Sequence, residues 1–321
     1  MLGFEITALN RQTLDSWANV ELVDQIGNDH VAIIPPWPIT GQAYDKCATY
    51  DLARSCDVPI PRTYYLESVQ DINDIAEACN FPVLPKPTTT AFFRSTFHAK
   101  AIAAQNPSDL FSKVEQIAKK VDPRSVLIQE FVSGSNKHFW HYGAVFDRDK
   151  PAYEYVISRK RQYPIDFGTA SHAEIADNPE VAELGARILT AMVFSGPVEV
   201  QFKYDERTNS YMLLDVNPRF WKSCAIADLL SVNMPLLAYE LRIGKTVDVI
   251  TATIDQRLIW IDILPDIVVS VADIFSGTLS LSEWLASYKG RRIEATFSRD
   301  DIWRGIVLAV MAPISYVKGF N

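Results

Sequence analysis

The chain has 321 residues, of which 48% are hydrophobic and 22% charged, a balance that is typical of globular proteins. Its formal net charge of −8 argues against nucleic acid as a partner, because nucleic-acid binding requires a basic surface. The four cysteines lack CxxC and Cys/His metal spacing, which predicts reduced thiols in a cytoplasmic protein. Neither a signal peptide nor a transmembrane segment is expected.

The first 44 residues predict a shortened α/β segment with one clear strand at 31–34. A βαβ unit takes about 30 residues or more, so a full Rossmann domain does not fit there. Residues 45–56 then predict a helix, which the proline-rich stretch 58–63 breaks. A second helix is predicted at 69–79 and ends at Asn80-Phe-Pro.

The middle of the chain predicts mixed sheets with helices beside them. Between residues 81 and 132 we expect a strand, a polar loop with aromatic residues, a strand, a helix and a buried strand, at 81–87, 88–97, 99–103, 107–121 and 125–132. The following elements are predicted strands at 139–146 and 152–158, helices at 178–193, 225–230 and 235–243, and a hairpin at 197–221. This order predicts an α+β fold.

Residues 247–321 predict a C-terminal α/β extension. Strands are expected within 247–263 and at 291–297, and a helix at 279–287. A last helix begins near Ser298, with apolar residues spaced i, i+3, i+4, i+7 and i+8 from Trp303. That apolar face predicts docking on the main domain. An interface with a partner, a second subunit in a homodimer or a membrane surface is the alternative.

The most informative stretch is the hairpin, PVEVQFKYDERTNSYMLLDVNPRFW. Asp215, Asn217 and Arg219 are two residues apart, so they point to one face of an extended strand. A carboxylate, an amide oxygen and a guanidinium on one face can hold Mg²⁺ and the phosphates that it bridges. The hairpin therefore predicts nucleotide chemistry.

Other motifs along the chain fit the same chemistry. In chain order they are Asp45-Lys46 opening a helix, VPIPRT, FPVLPKP, HAKAI, LIQEFVSG, SRKRQYP, and EVQFKYD followed by LLDVNPRFW. Their order, with 14 positions from Gln201 to Asp215, resembles the ATP-grasp superfamily over about residues 45–244. The nearest resemblance is to its carboxylate–amine ligase and carbamoyl-phosphate-synthase-like branches.

The resemblance implies a fold of two α+β subdomains that grip ATP. The grasp domain would span 45–246, with a lid-like subdomain at about 83–132. Lys86 and Lys100 would contact the nucleotide, and the hinge residues Glu130, Phe131 and Val132 would read the adenine.

The resemblance also implies roles for the second half of the site. Arg159 or Lys160 would contact the γ-phosphate or an acyl phosphate, and Arg219 a phosphate or acyl phosphate. Asp215 and Asn217 match the metal positions for Mg²⁺, with Mn²⁺ as an alternative ion.

Four features depart from the family pattern. Gln201 stands where a glutamate is usual, so we hypothesise that Gln201 or Glu199, on the same strand face, completes the metal shell. No acidic residue follows the hinge, which leaves Ser135 or Asn136 for the ribose. The loop 88–97 lacks glycine, and the N-terminal segment is short.

Structural interpretations compete for several of these residues. A lone lysine such as Lys86 or Lys100 is more often a solvated surface residue. Residues Arg159–Arg161 could instead form a solvated basic turn. Asp215 could instead form an ion pair with Arg219. The histidines, including His141 and His172, show no metal-ligand spacing and are assigned to core or surface positions.

The leading expectation is an ATP-dependent ligase that joins a small-molecule carboxylate to an amine through an acyl phosphate. Phosphoryl transfer relies mostly on positioning and charge stabilisation, so no nucleophilic side chain is required. The alternative is a catalytically weakened nucleotide-binding or regulatory protein with the same fold.

Overall fold

The computed structural model describes residues 33–88, 103–147, 150–165, 168–247, 257–297, 301–303 and 305–307. Within these ranges the chain forms a three-stranded sheet and a seven-stranded sheet, with helices packed on both. The α+β prediction is therefore confirmed.

The described part begins with two consecutive helices, α1 (Trp37–Tyr44) and α2 (Lys46–Ser55). Asp45 lies between them and caps α2, because its carboxylate accepts a hydrogen bond of 2.8 Å from the backbone N–H of Cys47. The sequence predicted α2 but not α1. The predicted strand 31–34 lies half outside the described residues, and Ile33 and Ile34 are not in a strand.

The small sheet has the strand order β1 (Thr63–Tyr65), β3 (Val126–Glu130), β2 (Val83–Pro87), with antiparallel neighbours. Helices α3 (Ile72–Ala78) and α4 (Pro107–Ala118) contribute to its core. β1 was not predicted, because it has only three residues and begins at the end of the proline-rich stretch 58–63. Most of the predicted loop 88–97 and strand 99–103 lies outside the described residues.

The large sheet has the order β10-β9-β6-β5-β4-β7-β8, antiparallel except for the β9–β10 pair. Its strands are β4 (Phe139–Asp147), β5 (Lys150–Tyr163), β6 (Thr169–Ile175), β7 (Gly196–Asp205), β8 (Ser210–Asn217), β9 (Leu258–Ile261) and β10 (Arg291–Glu294). β5 runs beyond the predicted end at 158, so Arg159–Arg161 lies in a strand and the basic-turn interpretation is wrong.

The two faces of the large sheet are covered by different elements. On one face α5 (Pro179–Ala191) packs against Tyr142, Val200 and other core residues. A Cβ atom at Gly185 of α5 would lie 2.4 Å from the Tyr142 ring, so glycine permits this close approach. The opposite face packs on a 3₁₀ helix (Cys224–Leu230) and α6 (Met234–Arg242). Other residues of β5 and β7 line a cavity, which is described below.

The C-terminal residues continue the large sheet, since β9 pairs with β6. Between β9 and β10 lie α7 (Ile263–Phe275) and α8 (Leu281–Ser287). Residues 302–303 and 305–307 are helical and expose Trp303, and the rest of the predicted last helix lies outside the described residues. The proposed domain division at 246 stays a prediction.

Within the described ranges, no single helix is long and apolar enough to cross a membrane. The helices 224–230 and 234–242 pass that test only as a pair, and they meet at an angle of 95°.

A buried ion pair joins α7 to β5. Arg161 donates two hydrogen bonds to the Asp266 carboxylate, at 2.8 and 2.9 Å, and Asp266 is fully buried. Tyr288 of the segment after α8 donates a further bond of 2.7 Å to the same carboxylate. Burial alone would raise the pKa of Asp266, but the bonds from Arg161 and Tyr288 hold it below its usual range.

Asp266→Ala is expected to lower the free energy of unfolding by about 3–5 kcal/mol, because it leaves the Arg161 guanidinium buried and unpaired. Urea denaturation measures the loss. Glu183→Ala, which removes an exposed i,i+4 partner of Arg187, is the control and should change stability by less than about 0.5 kcal/mol. Equal effects of the two variants would contradict the structural role of Asp266.

Candidate active site

A cavity of about 200 Å³ lies where the small sheet meets the large one. Residues from β2, β3 and the following hinge line one side, and residues from β5, β7 and β8 line the other. The lining residues that carry the chemistry are Lys46, Lys86, Gln129, Glu130, Phe131, Val132, Asn136, Arg159, Gln201, Lys203 and Asp215. The cavity therefore brings together most of the site residues predicted from the sequence.

Cations dominate the described lining of this cavity. Lys46, Lys86, Arg159 and Lys203 all contribute to it, against the carboxylates of Asp215 and Glu130. The Glu130 carboxylate is already engaged outside the cation cluster, as described below. The remaining excess of positive charge is what a polyphosphate requires.

Arg159 is the most unusual of these cations. Its side chain is buried, and its guanidinium carbon lies 3.5 Å from the centroid of the Phe139 ring. Nη1 makes a long contact of 3.5 Å to the Gly168 carbonyl oxygen, whereas Nε and Nη2 have no hydrogen-bond partner among the described residues. Burial lowers the pKa of Arg159 to about 9. Arg159 therefore keeps two buried donor nitrogens without a partner among the described residues.

Lys86 lies at the end of β2, where its ammonium donates a hydrogen bond of 2.6 Å to Gln129 Oε1. Burial and the neighbouring charge of Lys46 lower the pKa of Lys86 to about 7. Because Gln129 supplies an oxygen without a charge, Lys86 is held in position without a carboxylate partner at this bond. An ordered lysine of this kind can serve as a point charge for a phosphate group.

Lys203 fixes the hinge. Its ammonium donates a 2.8 Å hydrogen bond to the Val132 carbonyl oxygen and lies 4.6 Å from the centroid of the Phe131 ring. Burial, together with the nearby Arg159, lowers the pKa of Lys203 to about 8. The hinge residues Phe131 and Val132 are thus tied to β7 of the large sheet.

The Glu130 side chain contacts residues of the small-sheet region. Its carboxylate accepts hydrogen bonds from the Asn80 backbone N–H at 2.9 Å and from the Tyr64 hydroxyl at 3.3 Å, and Arg62 lies 3.8 Å away. This geometry gives the carboxylate a structural role. Recognition of adenine by the hinge backbone stays a prediction.

Asn136 lines the cavity on the far side of the hinge. Its amide donates to the Ile165 carbonyl oxygen at 3.2 Å and accepts from Gln162 at 3.3 Å. These bonds tie the hinge segment to the end of β5. Asn136 as a ribose ligand stays a prediction.

The hairpin β7–β8 places the predicted metal residues side by side. Gln201 lies opposite Asp215 and Glu199 lies opposite Asn217 in the strand register. Asp215 forms an ion pair of 2.6 Å with Lys46, so the interpretation of Asp215 as an ion pair with Arg219 is wrong. Tyr50 of α2 anchors this arrangement through a 2.9 Å bond to the Leu214 carbonyl oxygen.

Glu199 is buried beside the cavity rather than among its lining residues. Its carboxylate contacts His141 Nδ1 at 2.8 Å and accepts from the amides of Gln201 at 2.8 Å and Asn217 at 3.2 Å. Burial alone would raise the pKa of Glu199, but His141 and the Gln201 amide hold it below its usual range.

The donor set fits Mg²⁺ in kind, since Asp215, Gln201 and Asn217 all supply hard oxygen atoms. Where the structure describes the chain, no group of three or more His, Cys, Asp and Glu side chains could hold a metal ion. A bound cation would therefore rely on amide oxygens and nucleotide phosphates as well as on Asp215.

The remaining predicted site residues do not line the cavity or lie outside the described residues. Lys160 contacts Ser158 at 3.1 Å and is absent from the cavity lining, so Arg159 is the better candidate of the two. Arg219 is exposed at the end of the hairpin and contacts the Phe220 carbonyl oxygen at 3.0 Å. Lys100 lies outside the described residues.

Sequence reasoning missed three functional candidates. Lys203 continues the alternation of Glu199 and Gln201, so the period of two on β7 could have revealed it. Lys46 was part of a quoted motif, but its pairing with Asp215 joins elements far apart in the chain. His141 was assigned to a core or surface position, and its contact with Glu199 depends on how β4 and β7 pair.

A second cavity, of about 390 Å³, lies among α7, α8 and β10. Its charged lining residues are Arg292 and Glu294, and the rest is mostly apolar. It lacks the excess of positive charge that distinguishes the first cavity.

Comparison with known proteins gives one family model, described as "ATP-grasp in the biosynthetic pathway with Ter operon", which matches residues 148–262. The carbamoyl phosphate synthase large chain of Methanothermobacter thermautotrophicus is 22% identical over 209 residues, covering 62% of this chain and 19% of that protein. The large chain of Methanobrevibacter smithii gives the same values. The chain thus spans about a fifth of the length of these curated relatives.

Solved structures of low sequence identity share the fold. N5-carboxyaminoimidazole synthase of Aspergillus clavatus, in complex with ADP and a ribonucleotide, has a TM-score of 0.59 at 14% identity. That match covers 75% of this chain and 62% of the other. The biotin carboxylase domain of Hydrogenobacter thermophilus 2-oxoglutarate carboxylase has a TM-score of 0.58 at 15% identity, covering 71% and 51%.

These likenesses show that the two sheets and their shared cavity form an ATP-grasp fold. The family model over residues 148–262 and the carbamoyl phosphate synthase relatives agree with this fold and support the resemblance to the ATP-grasp superfamily.

Arg159→Met is expected to weaken ATP binding by about 10- to 100-fold, because it removes charge-assisted hydrogen bonds to the ligand. The same variant should raise the free energy of unfolding of the ligand-free chain by about 1–3 kcal/mol, because it removes a buried, uncompensated charge. Calorimetric titration and urea denaturation measure the two effects. Lys160→Met is the control, and an equal loss of affinity there would contradict the assignment of Arg159.

ATP binding at about pH 8 is expected to take up between about one and two protons, because in the free chain Lys86 is largely neutral and Lys203 half-protonated at that pH. Affinity should therefore fall as pH rises through the pKa values of about 7 and about 8. Calorimetry in buffers of different ionisation enthalpy counts the protons. Binding without proton uptake in the wild type, or an undiminished uptake in Lys86→Met, would contradict this assignment.

Proposed function

We propose that the chain is an ATP-dependent ligase that joins a carboxylate to an amine and releases ADP and phosphate. The observation that carries the proposal is the cation-rich cavity, in which Arg159 and Lys86 form no ion pair with a carboxylate among the described residues. A carboxylate substrate and a triphosphate are both anions, so both need such compensation.

In this proposal the nucleotide lies between the two sheets. The hinge residues Glu130, Phe131 and Val132 face the adenine, and Lys86 and Lys100 contact the phosphates. Asn136 or Ser135 bonds the ribose. Asp215, Gln201 and Asn217 supply oxygen atoms for Mg²⁺ or Mn²⁺, which neutralises phosphate charge when bound.

The proposed reaction has two steps. A carboxylate oxygen of the substrate attacks the γ-phosphorus, and the bond to the leaving ADP oxygen breaks, which gives an acyl phosphate. The amine then attacks the acyl carbon, phosphate leaves, and the amine proton passes to solvent. Arg159 and Lys86 stabilise charge on the transferred phosphoryl group, and Arg219, at the exposed end of the hairpin, contacts the acyl phosphate.

The chemistry named for related proteins supports this proposal. Carbamoyl phosphate synthase large chains are among the curated relatives, and one structural neighbour holds MgADP and bicarbonate. Another neighbour is an L-amino acid ligase from Bacillus licheniformis, with a TM-score of 0.52 at 9% identity over 70% of this chain and 53% of the other. The carboxylate and amine substrates of the present chain are not specified by these likenesses.

A second candidate function is nucleotide binding with weakened catalysis, as in a regulatory protein. The carboxylate-poor cavity favours it, because Asp215 is the one lining carboxylate near the hairpin amides and is already paired with Lys46. ATP binding without hydrolysis stimulated by any member of a carboxylate and amine library would support this second function over ligation.

Asp215→Ala is expected to lower substrate-dependent ADP release by roughly 100-fold, because it removes the carboxylate at the proposed metal position. A coupled ADP assay over a carboxylate library, with and without amines, measures the loss. Asp74→Ala, an exposed position on α3, is the matched control and should keep wild-type turnover. Full ligation by Asp215→Ala would contradict the proposed site.

A further inference from the structure

The Glu199 carboxylate accepts hydrogen bonds from two amide side chains, those of Gln201 and Asn217. Oε2 of its carboxylate accepts a hydrogen bond from the Gln201 amide at 2.8 Å and from the Asn217 amide at 3.2 Å. Oε1 contacts His141 Nδ1 at 2.8 Å. Both carboxylate oxygens are therefore engaged, and Glu199 is only 6% exposed.

The direction of these bonds determines which atom each amide presents elsewhere. A primary amide is planar, with an NH₂ donor on one side and a carbonyl oxygen acceptor on the other. A carboxylate accepts hydrogen bonds only, so the NH₂ groups of Gln201 and Asn217 must face Glu199. Their carbonyl oxygens are then turned away from Glu199, and Gln201 lines the cavity opposite Asp215.

This orientation matters because a cation distinguishes the two ends of an amide. The carbonyl oxygen is a ligand for Mg²⁺ or Mn²⁺, whereas the NH₂ group would repel the ion. Without an acceptor at position 199, either amide could rotate by half a turn at little energetic difference. The proposed metal site has one carboxylate, Asp215, so the two amide oxygens make a large share of its affinity.

His141 supports the same arrangement from the neighbouring strand. It lies on β4 beside Gln201 and contributes one of the contacts that hold the Glu199 carboxylate. Rotating Glu199 toward the cavity would break this contact and both amide bonds. The geometry thus favours Glu199 as an anchor over Glu199 as a metal ligand.

We propose that Glu199 is a positioning residue that orients the Gln201 and Asn217 amides so that their oxygen atoms bind the nucleotide-associated divalent cation. This inference rests on the proposed function, since it requires a cation and nucleotide at this site. It replaces the expectation that Glu199 itself completes the metal shell. Partners that orient metal ligands in this way typically contribute 10- to 100-fold in metal affinity.

The test is Mn²⁺ affinity in the presence of a saturating β,γ-imido analogue of ATP, read from the electron paramagnetic resonance signal of free Mn²⁺. Glu199→Met, which removes the acceptor, should weaken Mn²⁺ binding by about 10- to 100-fold and leave analogue affinity in EDTA within about twofold. Glu174→Met, at a buried glutamate on β6 near His172, is the matched control and should bind Mn²⁺ like the wild type. An unchanged Mn²⁺ affinity in Glu199→Met overturns the inference.

A second set of variants tests whether Glu199 positions the amides or binds the metal ion directly. In the Gln201→Ala/Asn217→Ala double variant the amides are gone, so adding Glu199→Met should cause no further loss of Mn²⁺ affinity. A further loss of the same size as in the wild-type background would show that Glu199 is a ligand and overturn the inference. Far-ultraviolet circular dichroism and thermal unfolding verify that each variant is folded.

Two substitutions of His141 test the anchoring of Glu199 without changing the Glu199 side chain. His141→Gln retains a hydrogen-bond donor for Glu199 and should lose less Mn²⁺ affinity than His141→Phe. Equal affinity in the two would contradict the anchoring of Glu199. A wild-type chain that binds neither the analogue nor Mn²⁺ with it would instead refute the proposed function, which is a distinguishable outcome.

Discussion

Positive charge held in a buried cavity without matching carboxylates is the constraint on which the site depends. Arg159 is 4% exposed, with two donor nitrogens that lack a partner among the described residues. Lys86 is held by an uncharged amide oxygen. Such groups destabilise the ligand-free chain, and an anion that enters the cavity would stabilise them. Under the proposed function, the unfavourable electrostatics of the empty cavity therefore favour polyphosphate binding.

The contacts between the two sheets place the positively charged side chains around one cavity. Lys203 ties the hinge carbonyl of Val132 to the large sheet, while the Glu130 carboxylate ties the start of the hinge to Asn80 beside the small sheet. Arg161, two residues after Arg159 on β5, is fixed by Asp266 of α7. The C-terminal residues therefore support the strand that carries the unpaired guanidinium.

Much of this arrangement could be predicted from local sequence pattern. The alternation on β7 and β8 placed Glu199, Gln201 and Asp215 on a common face, and the strand register confirms that Gln201 and Asp215 are neighbours. The extension of β5 through Arg159 was missed, because its polar sequence resembles a turn and its burial depends on other elements. Lys46 and His141 acquire their partners only through long-range packing, which local periodicity does not encode.

A crystal structure of the chain with ADP and Mg²⁺ tests the central claim most directly. The electrostatics of the cavity predict phosphate oxygens within hydrogen-bonding distance, about 3 Å, of Arg159 Nη2 or Nε and of Lys86 Nζ. They also predict the cation beside Asp215 and the Gln201 amide oxygen. A nucleotide bound elsewhere, with the Arg159 donors still unpaired, would contradict the claim that this cavity is the nucleotide site.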